Sequence, residues 1–139
     1  MKSYLKTTAG FVLSATMATA SFGATVNVGE LQGFTGPLES MIGPMSGGAN
    51  LAVTEANASG KYLYGTINVV QGDSVCIDPA VAIAQAEKMV NDDNVMAIMG
   101  PNCSGNTGAV ITNVLVPNGI VSISPSATSP ALTTLEDGG

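Results

Sequence analysis

Apolar and polar residues alternate over residues 25–31, and the run is rich in β-branched side chains, which predicts a first strand leading into the turn Gly33-Phe34-Thr35-Gly36-Pro37. The period then changes. Met41, Met45, Ala49, Ala52, Val53 and Ala56 recur at three- and four-residue steps, which places them on one face of a helix that stops at Asn57-Ala58-Ser59-Gly60. Residues 66–70 predict a second strand. Asp78 followed by Pro79 is a capping carboxylate before a proline at the first helical position, and opens a helix through Val81, Ala84, Lys88, Met89 and Val90 to Asn91-Asp92. Residues 95–99 are wholly apolar, as in a strand buried on both faces of a parallel sheet. The polar run Gly100-Pro101-Asn102-Cys103-Ser104-Gly105-Asn106-Thr107-Gly108 leads into a third helix through Val110, Ile111, Val114 and Leu115, ended by Pro117-Asn118-Gly119. A fourth apolar strand at 120–123 and a polar loop at 124–130 follow. Strands and helices that alternate through short connections predict an α/β fold with a doubly wound parallel sheet. Met41, Met45, Met89, Met96 and Met99 are expected in its core.

Composition narrows the chemistry. The 139 residues hold no His and no Arg, so a Ser-His-Asp or Cys-His nucleophile pair, a His-ligated zinc and a guanidinium fork for phosphate are all excluded within this chain. Only 10% of the residues are charged, and the formal net charge is -6, the wrong sign for a nucleic-acid partner. Any acid–base pair would have to come from Asp or Glu, so an enzyme is not expected.

Lys2 and Lys6 precede an uncharged apolar-to-small run over 7–20, and Ala18-Thr19-Ala20 supplies a small-x-small cleavage pattern. Residues 1–24 therefore read as a signal peptide, cut between about 20 and 24, with cleavage after Ala20 the first choice. The alternative is a membrane anchor, but about 14 apolar or small residues fall short of the ~20 that span a bilayer. Export leaves two Lys against ten acids. The even cysteine count, Cys76 and Cys103, then favours a disulfide over two free thiols. Closing that loop of about 28 residues would add roughly 3–4 kcal/mol.

Residues 25–139 read as one domain or part of one. The sequence stops after a strand and a loop with no closing helix, so the expectation is the truncated beginning of a longer protein. In an open parallel sheet, ligands bind at the carboxyl ends of the strands, where the polar loops 33–37, 102–107 and 124–128 fall. These loops offer hydroxyls and accessible backbone. Ser104 at a helix start can hold a carboxylate, while the carbonyls of 124–128 and the Thr128 hydroxyl can accept from an ammonium group, which together describe a site for a zwitterion. Capping of their own helices is the commoner role for such hydroxyls. Gly100 and Gly105 have phosphate-loop spacing, but Asn106-Thr107 stands where Lys-Ser/Thr belongs, so no nucleotide cofactor is expected. Asp92-Asp93 reads as a solvated helix end rather than a metal site.

Taken in order, Gly33-Phe34-Thr35-Gly36-Pro37, Cys76-Ile77-Asp78-Pro79, Gly100-Pro101-Asn102-Cys103-Ser104-Gly105 and Ile123-Ser124-Pro125-Ser126-Ala127-Thr128-Ser129-Pro130 make residues 25–139 resemble the leucine/isoleucine/valine-binding proteins. These are periplasmic solute-binding proteins of branched-chain amino acid ABC transporters, of type I fold. The resemblance implies the N-terminal lobe, a Rossmann-like α/β/α layer structure, of a two-lobed receptor that delivers an amino acid to permease subunits. It implies a Cys76–Cys103 disulfide, a ligand carboxylate on the hydroxyl and backbone N–H of Ser104, and ammonium and carboxylate contacts from the Ser126 carbonyl and the Thr128 hydroxyl and backbone. Ala127 lines the same loop. Where the family places an aromatic residue after the Gly-Pro turn, this chain has Leu38-Glu39-Ser40-Met41-Ile42-Gly43. A C-terminal lobe, absent from this sequence, would supply an acidic partner for the ammonium group. The alternative reading is a receptor that uses the same lobe to sense amides, urea or aromatic acids without transport.

Overall fold

A computed structural model describes residues 23–62 and 65–137; residues 1–22 of the expected signal peptide lie outside the described residues. Four strands, β1 (Ala24–Gln32), β2 (Gly65–Asp73), β3 (Val95–Met99) and β4 (Val121–Ile123), form one all-parallel sheet in the order β2-β1-β3-β4. From β1 the chain crosses outward to β2 through α1 (Glu39–Ala58), returns past β1 to β3 through α2 (Pro79–Asn91), and reaches β4 through α3 (Ser104–Val110), a π turn (Ile111–Leu115) and a last turn α4 (Val116–Asn118). The direction of winding therefore reverses between β1 and β3, and the doubly wound expectation holds. That reversal is the topological switch point at which open α/β sheets bind ligands.

Right-handed crossovers put α1 on one face of such a sheet and α2 and α3 on the other. Strand alternation agrees. Leu31 points into the core formed with Ala82, Ala86, Met89, Val95, Ile98, Val110, Val114 and Leu115, whereas its neighbour Glu30 accepts a hydrogen bond from Ser46 of α1. Helix α1 begins two residues earlier than its apolar pattern suggested and buries only Ile42 completely. Of the expected stripe, Met45, Ala49, Val53 and Ala56 are half-buried, while Met41 and Ala52 are exposed.

Because α2 and α3 share a face, β3 is covered on one side only. Met96 is 67% exposed, and in β4 Val121 and Ile123 are 67% and 73% exposed. This corrects the expectation of a strand buried on both faces and of a core position for Met41 and Met96; among the five methionines only Met89 is fully buried.

The helix starts and stops follow local chemistry. Asp78 caps α2 by accepting the Ala80 N–H at 2.9 Å, with Pro79 at the first helical position. Pro117 does more than stop the third helix. It has no N–H to offer the Asn113 carbonyl, and the turn before it widens so that the Val116 N–H reaches the Ile111 carbonyl, five residues back. At the C-terminal end of α1 the Asn57 side chain accepts the Ile67 N–H at 2.8 Å and donates to the Ile67 carbonyl at 2.9 Å, filling one pair of outward-facing groups on the edge strand β2. A 3-10 helix (Pro130–Thr134) follows the loop after β4.

Candidate functional site

The loops that leave the carboxyl ends of the four strands are tied to one another by side chains. Between β1 and β3, Asn102 Oδ1 accepts the Gly33 N–H at 2.9 Å. Between β3 and β4, Ser126 Oγ donates to the Asn102 carbonyl at 2.8 Å and Ser124 Oγ donates to the Pro101 carbonyl at 2.6 Å. Ser124 Oγ also accepts the Ala127 N–H at 2.9 Å, which shapes the turn 124–127. The loop after β2 joins this platform twice, through the Cys76–Cys103 disulfide, whose Cα atoms lie 5.5 Å apart, and through Asn106 Nδ2, which donates to the Ser74 carbonyl at 2.8 Å.

Ser104, Ser126, Ala127 and Thr128 come together on this platform. Ser104 is the first residue of α3, and its Oγ accepts the N–H groups of Thr128 at 3.0 Å and Ser129 at 3.1 Å. Neither Ser104 nor Thr128 caps its own helix. The cap position of α3 is Cys103, without a side-chain hydrogen bond, and the 3-10 helix is capped by Ser129, whose Oγ accepts the Ala131 N–H. A hydroxyl has two lone pairs and one proton. With both lone pairs of Ser104 engaged, its proton is what remains for a third group, so Ser104 presents a donor. The Thr128 N–H, which the resemblance assigned to a ligand, is spent on Ser104; the Thr128 hydroxyl is exposed. Ser126 and Ala127 are half-buried beside it.

No fixed cation stands near these groups among the described residues. Lys88 pairs with Asp93 at 2.6 Å, just before β3 begins, and Lys61 lies just before β2, both at the opposite end of the sheet. Among the described residues no group of three or more His, Cys, Asp or Glu is arranged to hold a metal, and no helix is long and apolar enough to cross a membrane.

Asp73, the last residue of β2, is the charged hinge of the platform. Its Oδ2 accepts the Thr35 hydroxyl at 2.6 Å, and its Oδ1 accepts the Val75 N–H at 2.9 Å and the Thr35 N–H at 3.3 Å. Burial raises its pKa, but the Thr35 hydroxyl and the N–H groups of Val75, Thr35 and Phe34 outweigh burial and hold it below the ordinary 3.8. A carboxyl lowered in the folded state adds stability above its unfolded pKa, and that contribution is lost as pH falls through the folded value. The expected result is that the denaturation midpoint of the native chain drops between pH 5 and pH 3 more than that of Asp73→Asn. Parallel acid profiles would count against this role.

Sequence reasoning placed Asn102, Asn106 and Ser124 in strand-end loops but assigned roles only to Ser104 and 126–128, and it missed Asp73 and Ser129. A local signal existed for Asn102 and Ser124, which stand in the first residues after a strand end, where such side chains bond to backbone groups.

Residues 25–136 match the family described as periplasmic binding protein. The chain is 34% identical over 105 residues to the Leu/Ile/Val-binding protein of Escherichia coli, covering 68% of this chain and 28% of that protein. It is 32% identical over 127 residues to the leucine-, isoleucine-, valine-, threonine- and alanine-binding protein of Pseudomonas aeruginosa, covering 87% and 33%. Among solved structures it is similar to the branched-chain amino acid transporter substrate binding protein LivJ of Streptococcus pneumoniae, in complex with isoleucine. That likeness has a TM-score of 0.74 and 33% identity over 82% of this chain and 32% of that one. The chain thus spans about a third of the length of the relatives it matches. Sheet order and sequence match agree, and the chain belongs to the periplasmic binding protein family, with the type I α/β fold.

Proposed function

We propose that residues 25–139 are part of the first lobe of an exported, two-lobed solute receptor that takes an amino acid of the branched-chain class in the periplasm and passes it to the permease of an ABC transporter. Residues 1–24 direct export and are removed. The second lobe belongs to polypeptide outside this sequence, and the two lobes close on the ligand by hinge motion. The observation that carries the reading is Ser104. With its oxygen accepting from Thr128 and Ser129, the hydroxyl donates to a ligand carboxylate beside the Ser126 carbonyl and the Thr128 hydroxyl. Neutral donors and acceptors replace charged partners on this lobe, and nothing in it performs catalysis. The relatives named above for leucine, isoleucine and valine support the ligand class.

Calorimetric titration with leucine, isoleucine and valine tests this, on the 139-residue chain and on that chain joined to the rest of its reading frame. The longer protein is expected to bind, with Ser104→Ala weakening affinity by at least about tenfold, or ~1.4 kcal/mol. The 139-residue chain alone is expected to bind weakly or not at all. A longer protein that ignores these amino acids but binds benzoate or urea would overturn the ligand class.

A further inference from the structure

We propose that Asn102 is the positioning residue of the site, holding the Ser104 and 126–128 groups in register with the β1 turn across the switch point. This deepens the reading above and rests on it only for what the platform binds. Asn102 is 2% exposed and touches both neighbours of its own loop. Its Oδ1 takes the buried Gly33 N–H at 2.9 Å, and its carbonyl takes the Ser126 hydroxyl at 2.8 Å. The next residue is Cys103, fixed to the β2 loop by the disulfide, and the one after is Ser104. One residue therefore meets the loops of β1 and β4 and adjoins the covalent tie to that of β2.

The other end of the same amide makes no bond, so the Gly33 contact is what this side chain supplies. Asn102 Nδ2 is buried and has no hydrogen-bond partner. Leucine of similar size would remove that unpartnered donor but would leave the buried Gly33 N–H without an acceptor, so the choice of side chain decides which donor is paired. What leucine lacks is the acceptor for Gly33. That N–H also fixes which end of the amide carries oxygen, since only Oδ1 can receive it.

Amide hydrogen exchange on the chain, followed residue by residue, tests the assignment without any ligand. Asn102→Leu is expected to speed exchange of the Gly33, Thr128 and Ser129 amides by about tenfold or more, while the sheet amides of Leu31 and Ile98 keep their rates. Ser126→Ala is expected to release Thr128 and Ser129 but not Gly33. Unchanged rates in Asn102→Leu, equal acceleration of the Leu31 and Ile98 amides, or a Gly33 amide already unprotected in the native chain each overturns the proposal. Should Asn102→Leu fail to fold, Ser126→Ala decides alone, and unchanged Thr128 and Ser129 rates overturn it. An exchange pattern as expected, together with no amino acid binding by the longer protein, would fault the ligand reading and leave the positioning role standing.

Discussion

Gly100→Ala is expected to unfold the chain. Gly100 ends β3 with φ +116°, a backbone region that L residues rarely adopt, and a Cβ built there collides with the carbonyl of Leu31. Leu31 cannot move aside, because it is fully buried in the central strand β1 and its side chain lies in the core. Backbone strain of about 1–3 kcal/mol adds to the steric conflict, against a total stability of ~5–15 kcal/mol for a domain. We expect a loss above about 4 kcal/mol, read as a collapse of the urea midpoint. Gly105→Ala is the control. Gly105 lies within α3, an alanine Cβ there meets nothing within 4 Å, and the variant is expected to be neutral or more stable by about 0.5–1 kcal/mol. Equal midpoints for the two variants would refute the role given to Gly100.

Removing the disulfide comes next in size. Cys76 and Cys103 are 27 residues apart, and opening a loop of that length is expected to cost roughly 3–4 kcal/mol through the denatured state. Val75 and Cys76 both hold positive φ, +47° and +69°, a conformation unusual for a β-branched residue such as Val75. The bond and Asp73 keep that pair in place, so the double variant Cys76→Ser with Cys103→Ser should also loosen the β2 loop. Thermal or urea unfolding of the native chain with and without reductant, beside the double variant, measures the effect. Coincident curves for all three would show that the bond adds nothing.

What could be read from the sequence depended on how local its cause was. The Asp78-Pro79 start of α2 and the glycine-proline turn after β1 are set by neighbouring residues, and both lie where expected. The apolar run of β3 was equally clear, but composition says nothing about which face the helices cover. That is decided by crossover handedness and by the order of strands, so Met96 and the β4 residues Val121 and Ile123 ended up open. The effect of Pro117 on its own helix reaches upstream to Ile111, beyond the stop signal that it supplies. The site divides in the same way. Ser104 and 126–128 follow from the strand-end rule and the family resemblance, whereas the partners of Asn102 and Asp73 lie 69 and 38 residues away and leave no periodic trace.

One border of the sheet carries its own stop, and this bears on how strands can be added to it. Along β2 the Asn57 amide already fills the hydrogen-bonding pair of Ile67, so a strand arriving there must first evict a helix-borne side chain. The other border, β4, is a strand of three residues in which Val121 and Ile123 are exposed and Ser122 is half-buried. The sheet is therefore obstructed past β2, like a zipper with a stop sewn at one end.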